Sequence, residues 1–268
     1  MKNLIFRILL LIVPNVVFAQ SKTIFPKTNH QFIIIAHRGF HVDTPENTIE
    51  SLRKAIELGV DYVEVDIRTT LEGELVVMHD ANLERTTDGK GRVSAISAID
   101  FKNLKIKDTD ISPPTFSSFL MEAKDKVNLY LDIKEADPEK IISLLDKYQM
   151  RERVVIYCSS QQIFKWKKLA PTIPVIISPS SNIKTPSDFE SYVLSFPTSI
   201  LDGNIETYSP EILQKLTKNN IPVWLDTLGK DDNPQTWEAA ITLNIKALQT
   251  DKPKEMMEYL LKRSHRYK

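Results

Sequence analysis

From residue 32 onward, short runs rich in β-branched residues alternate with longer amphipathic stretches. The runs occupy 32–36, 62–66, 75–79, 128–133, 154–157, 173–177, 199–201, 222–225 and 246–249, and they predict strands. Helices are predicted over 47–58, 139–148, 161–169, 210–219, 234–242 and 253–262. Several of these begin at a proline, which the first helical turn accepts because its N–H needs no intrahelical partner. Strand followed by helix, repeated, implies a mostly parallel sheet wrapped by helices. Only eight residues, 67–74, separate the second and third runs, with Glu72-Gly73 in the middle. A parallel crossover takes a dozen or more residues, so this link is a hairpin and the third run its returning arm. Folding there sets Glu64 and Asp66 roughly opposite His79 and Asp80. Eight parallel strands remain, which predicts an α/β fold, a (β/α)8 TIM barrel carrying one β-hairpin arm. Residues 82–113 lack a strand run and read as a small insertion beside the barrel mouth. In such barrels chemistry gathers at the C-terminal strand ends, here 36–39, 64–66 and 132–134.

The first residues follow another pattern. Lys2 and Arg7 precede the apolar run 8–13, Pro14-Asn15 interrupts it, and Val16-Val17-Phe18 leads to Ala19. A basic start, a short apolar stretch and a small residue describe a secretory signal peptide cut after Ala19. A membrane anchor needs about 20 unbroken apolar residues, and this stretch is shorter. The expectation is a signal peptide over 1–19 and a secreted or periplasmic barrel over 20–268, without stable membrane insertion. With 42% hydrophobic and 26% charged residues, the 268-residue chain can bury a core, which excludes global disorder. Lys+Arg 35 cancel Asp+Glu 35, which argues against a broad grip on nucleic acid. The basic tail of Lys262, Arg263, Arg266 and Lys268 reads as a solvated terminus. One cysteine excludes an intramolecular disulfide framework and a Cys-rich zinc site, and Cys158, after Val154-Val155-Ile156-Tyr157, is expected to be buried.

The chemistry-bearing residues sit where the barrel topology asks for them. His37-Arg38-Gly39 ends the first strand, joining a proton carrier to a permanent cation. Glu64 and Asp66 turn to one face of the second strand, with Val65 opposite. Asp132 and Lys134 do the same on the strand after the insertion. Carboxylates converging on an inward face repel unless a cation neutralises them. Three of them without cysteine specify one hard divalent cation, Mg2+ or Ca2+. His79 brings a second imidazole to the same rim. A site of this make-up suits phosphoryl transfer: cations neutralise phosphate oxygens while one histidine removes a proton and the other protonates the leaving oxygen. His41, in the loop after Gly39, is a loop residue that could reach the mouth. Trp224 is expected either to wall the pocket or to pack beneath it.

The ordered set His37-Arg38-Gly39, Pro45-Glu46-Asn47-Thr48, Glu64-Val65-Asp66, Gly73, His79-Asp80 and Asp132-Ile133-Lys134 resembles the glycerophosphodiester phosphodiesterase family, among the phospholipase-C-like phosphodiesterase barrels. The resemblance runs from about residue 32 to the C-terminus and includes Thr250-Asp251-Lys252-Pro253. It implies metal-dependent hydrolysis of a small-molecule glycerophosphodiester to glycerol 3-phosphate and an alcohol. On this reading His37 and His79 are the acid/base pair, Glu64, Asp66 and Asp132 the metal ligands, and Arg38 and Lys134 the phosphate clamp. Glu46 would shape the mouth, and Asn47 or Thr48 would cap the first helix. Two departures stand out. Asp132 replaces a glutamate found in many members, a feature shared with the sphingomyelinase-D-like lyases that release a cyclic phosphate. Trp224-Leu225-Asp226-Thr227 replaces a frequent Trp-Thr-Val-Asn, so head-group preference does not carry over. A catalytically silent barrel that binds phosphodiesters is the remaining alternative, and the charged stretch 82–113 favours soluble substrates over intact lipid.

Overall fold

The computed structural model describes residues 23–28 and 30–263, so the signal peptide read over 1–19 lies outside the described residues. The runs form β1 (Ile33–Ala36), β2 (Tyr62–Thr69), β3 (Leu75–Val77), β4 (Asn128–Ile133), β5 (Val154–Tyr157), β6 (Val175–Ile177), β7 (Ile200–Leu201), β8 (Leu225–Thr227) and β9 (Ala247–Thr250). The helices are α1 (Ile49–Leu58), α2 (Ala98–Asn103), α3 (Phe116–Ala123), α4 (Pro138–Tyr148), α5 (Ile163–Leu169), α6 (Pro186–Ser195), α7 (Pro210–Lys218), α8 (Pro234–Thr242) and α9 (Pro253–Lys262).

Strand order is β7-β6-β5-β4-β2-β1-β9-β8, with every neighbouring pair parallel. A parallel bridge from Leu201 to Val223 joins the two ends. There Leu201 N donates to Pro222 O at 3.0 Å and Trp224 N to Leu201 O at 2.9 Å, so the eight strands curl into the barrel. β3 pairs antiparallel with β2 in the register Ile67↔Val77, Arg68↔Val76, Thr69↔Leu75, which is the expected hairpin. Met78 N donating to Asp66 O at 3.1 Å carries the pairing on toward His79.

Alternation along the parallel strands divides the side chains between two cores. Ile34, Val63, Val65, Leu129, Leu131, Ile156 and Leu248 face outward, in the layer that includes Leu52, Phe116 and Ile141 from the helices. Ile35, Tyr62, Tyr130, Val155, Ile176, Ile200, Trp224 and Ala247 fill the barrel interior as one apolar layer. Two residues further along, the inward positions become His37, Glu64, Asp132, Tyr157, Ser178, Asp202, Asp226 and Gln249. The polar site therefore lies directly above a packed floor.

Three helices appear that the periodicity did not predict: α2, α3 and α6. α6 carries a legible start, since Pro186 follows Thr185 and the Thr185–Asp188 capping box is formed. β8 runs to Thr227 instead of ending at Leu225, which brings Asp226 into the strand. Residues 82–113 pack against the β3 arm, where Leu83, Val93 and Phe101 meet Val76 and Met78 in a small separate core.

Candidate active site

The C-terminal end of β1 is locked onto the start of α1. Thr48 caps the helix by accepting from Ser51 N at 3.1 Å, while Ser51 Oγ accepts from Thr48 N at 3.2 Å. Asn47 is thereby freed from capping. It sits in the left-handed region (φ 58) and grips Asp66 twice, Nδ2 donating to Oδ2 at 2.7 Å and Oδ1 accepting from Asp66 N at 3.3 Å. Arg38 (φ 52) and Gly39 (φ 82) turn the chain sharply, and Arg38 N points at Glu64 Oε2, 2.8 Å away.

Glu64, Asp66 and Asp132 each offer a carboxylate oxygen within 4.8 Å of the others. Asp132, although shorter than glutamate, completes the group. Burial, then the charges of Asp66 and Asp132, push the Glu64 carboxyl well above its ordinary range. Asp132 is pushed up as well, by burial first, against the pull of Lys134. Lys134 Nζ lies 2.6 Å from Asp132 Oδ2 and 3.2 Å from Asp66 Oδ1. Burial would lower the Lys134 pKa, but Asp132 and Asp66 outweigh it and hold the ammonium charged. Arg38 Nε lies 3.4 Å from Asp66 Oδ2 and is buried without a hydrogen bond.

Both imidazoles are oriented by a carboxylate. His37 Nδ1 donates to Asp251 Oδ1 at 2.7 Å, and His79 Nδ1 to Asp80 Oδ1 at 2.7 Å. Each bond fixes a tautomer and leaves Nε2 for the cavity. Burial would raise the Asp251 pKa, but the bonds from His37 and Gly229 N hold it at about 2. Asp80 is held below the usual carboxylate range, chiefly by Arg85. Arg85 also bonds Glu46 at 2.7 and 2.9 Å, and Glu46 accepts from Arg38 Nη1 at 2.9 Å. The insertion thus braces the rim through one arginine.

His37, Arg38, Glu64, Asp66, His79, Asp132 and Lys134 all line one cavity of about 280 Å³. The sequence profile of the glycerophosphoryl diester phosphodiesterase family matches residues 37–255. The chain belongs to this family. A glycerophosphodiester phosphodiesterase of Caldanaerobacter subterraneus subsp. tengcongensis is 28% identical over 248 residues, covering 86% of this chain and 98% of that one. A glycerophosphodiester phosphodiesterase structure from Agrobacterium tumefaciens superposes with a TM-score of 0.74 at 23% identity, covering 84% of this chain and 99% of that one. A phosphodiesterase from Oleispira antarctica, solved with the product sn-glycerol-3-phosphate, gives a TM-score of 0.74 at 20% identity, covering 85% and 96%.

In this family member Trp224 is not on the cavity wall. It lies one layer down, 5% exposed, with its ring 5.1 Å from Tyr62, so its role is packing. His41 also stays off the wall; its Nδ1 donates to the His37 carbonyl at 2.8 Å and its Nε2 lies 3.5 Å from Asp251. Sequence reasoning missed Asp251 as the partner of His37 and Asn47 as the partner of Asp66. It also missed the far wall, where Tyr157, Ser178, Asp202, Asp226 and Gln249 complete the cavity. Asp202 is raised to about 6 and Asp226 well above its ordinary value, in both cases first by burial.

Proposed function

We propose that this chain hydrolyses small glycerophosphodiesters to glycerol 3-phosphate and an alcohol, with one divalent cation held by Glu64, Asp66 and Asp132. The observation that carries the reading is the pair of carboxylate-backed imidazoles on one cavity with three mutually repelling acids. An all-oxygen donor set this buried fits Mg2+ or Ca2+, which when bound supplies positive charge for phosphate oxygens. Arg38 and Lys134 add fixed positive charge beside it. One imidazole takes the proton from the attacking hydroxyl, either of water directly or of the neighbouring glycerol carbon, in which case water must afterwards open the cyclic phosphate to give glycerol 3-phosphate. The other delivers a proton to the departing alcohol oxygen as its bond to phosphorus breaks. Asp251 and Asp80 hold the two rings in place for this exchange. The product complex of the Oleispira protein supports glycerol 3-phosphate as the product class.

Among the described residues no helix is long and apolar enough to cross a membrane. The pattern of residues 1–19 supports export to a periplasmic or extracellular site of action. The test is release of glycerol 3-phosphate from glycerophosphoethanolamine, glycerophosphocholine and glycerophosphoglycerol, with product analysis. Activity is expected to vanish in EDTA and return with Mg2+ or Ca2+, and His37→Ala or His79→Ala to lower kcat by about a hundredfold or more. Turnover indifferent to chelation would discard the carboxylate–cation assignment. A cyclic phosphate as the final product would replace hydrolysis by a lyase reaction.

A further inference from the structure

The cavity has a second half with opposite needs. Around the metal-type carboxylates the protein supplies cations, Lys134 and Arg38. Across from them Asp202, at the end of β7, and Asp226, on β8, line the same cavity. Among the described residues neither has a lysine, arginine or histidine within 4.0 Å, the ion-pair distance met by Lys134. The two carboxyl groups act on each other: burial, then the charge of Asp202, holds Asp226 well above its ordinary range, so the pair shares one proton. Asp202 also accepts from Gly203 N at 2.6 Å and Ser178 Oγ at 3.2 Å. Gln249 of β9, a residue only 6% exposed, donates Nε2 to Asp226 Oδ1 at 2.6 Å, while its Oε1 is buried with no hydrogen-bond partner. Tyr130 and Tyr157 line the same wall, their rings stacked at 6.2 Å.

We propose that Asp202, Asp226 and Gln249 form a subsite for a primary ammonium group, so that the alcohol this enzyme releases best is an amino alcohol of the ethanolamine class. This deepens the phosphodiesterase reading and rests on it. A buried carboxyl pair sharing one proton still holds one negative charge without a counter-ion, and that calls for a cation because an uncompensated charge away from water is costly. The orphaned Gln249 carbonyl calls in addition for a hydrogen-bond donor. A hydroxyl offers a donor but no charge, whereas a quaternary ammonium offers charge but no N–H. A primary ammonium supplies three donors and the charge together.

The experiment compares kcat/KM for glycerophosphoethanolamine, glycerophosphocholine and glycerophosphoglycerol, in saturating Mg2+ or Ca2+, for the wild type, Asp226→Asn and Gln249→Met. The wild type is expected to favour the ethanolamine ester by about tenfold or more, as donor-matched sites do. Each variant should lower the ratio of the ethanolamine to the glycerol ester by a similar factor, mainly through KM. Equal wild-type rates on all three esters would overturn the subsite and leave the hydrolase intact. Variants that slow all three esters in proportion would show a structural role only, and also overturn it. If no ester is cleaved, the hydrolase reading fails, and calorimetric titration of ethanolamine hydrochloride decides the subsite alone. Binding lost in both variants supports it, and absence of wild-type binding at millimolar ligand ends it. A Ca2+ stoichiometry that falls from two to one in Asp226→Asn would give the pair to an inorganic ion and overturn it too.

Discussion

A histidine works as a proton carrier only if its ring is held in one tautomer and one orientation, and in the proposed mechanism that task falls to Asp251, which bonds His37 Nδ1 at 2.7 Å. Its carboxylate stays ionised across the neutral range because the bonds from His37 and Gly229 N outweigh the effect of burial. Asp251→Asn keeps the shape but can present its amide N–H to the imidazole, which favours the wrong tautomer. We expect kcat to fall by about tenfold to a thousandfold with KM for the diester nearly unchanged, and Asp251→Glu to recover part of the rate. Normal turnover in Asp251→Asn would remove it as a positioning residue. His37, Glu64, Asp66, Asp132 and Lys134 were legible in the sequence because each is an alternate residue at a strand end, where period-two geometry fixes its direction. Asp251 was not, since its partner lies 214 residues away and only the closed ring brings the two together. Asp202 follows a strand of two residues, too short to display alternation at all. Trp224 fell short of the cavity for a related reason: β8 continues two residues past Leu225, and Asp226 takes the place on the cavity wall above Trp224.

The β1–α1 junction is the element on which the site depends most, because it sets Arg38 against Glu64 and Asn47 against Asp66. Gly39 makes it possible. At φ 82 an L side chain is strained, and a Cβ there would stand 2.5 Å from Ser51 Oγ and 2.8 Å from the Ser51 carbonyl carbon. Gly59, which ends α1 at φ 79, has nothing within 4 Å of the same imagined Cβ. The two glycines therefore separate backbone strain from collision. Gly59→Ala should cost about 1–2 kcal/mol, the left-handed penalty alone. Gly39→Ala should cost at least about 2 kcal/mol more, as α1 shifts to make room, and should also lower divalent-cation affinity. Thermal melts and calcium titration of both variants check this; equal losses would show that the junction has slack. Strands and six of the helices were readable from periodicity because they span enough residues to show a repeat. α2 has six residues and α3 eight, less than two or three turns, so no stripe could emerge. α6 is different. Its capping box and N-terminal proline were present in the sequence, and its start signal was legible although its weak amphipathic face was not.

At the scale of the whole barrel, a floor of large apolar residues carries a ceiling crowded with acids, so the site is bought with stability. The eightfold count and the hairpin could be read from the strand runs and the length of one link, but the charge load on the inner wall could not, since it depends on which ring of residues the curled sheet turns inward. Asp202 gives this load a measurable sign. Its pKa in the folded chain is raised to about 6, first by burial, whereas an unfolded aspartate titrates near 3.9. Below about pH 3.9 both states hold the proton and the group costs nothing. Between there and about 6 the unfolded chain releases the proton while the folded chain retains it, so stability falls as pH rises. The slope approaches 1.4 kcal/mol per pH unit, or of the order of 3 kcal/mol over the interval, and the loss is complete above it. Asp202→Asn cannot titrate and escapes this loss. The variant's melting temperature in EDTA, taken relative to wild type, should therefore rise from pH 4 to pH 7.5, even if its lost hydrogen bonds make it the less stable protein at the acid end. Taking the difference cancels Asp251 and Asp80, whose lowered pKa values work in the opposite sense in both proteins. A difference that stays flat with pH would mean that Asp202 is ionised in the folded barrel as freely as in water, and the far wall of the cavity would then be wet and open instead of a desolvated pocket awaiting a cation.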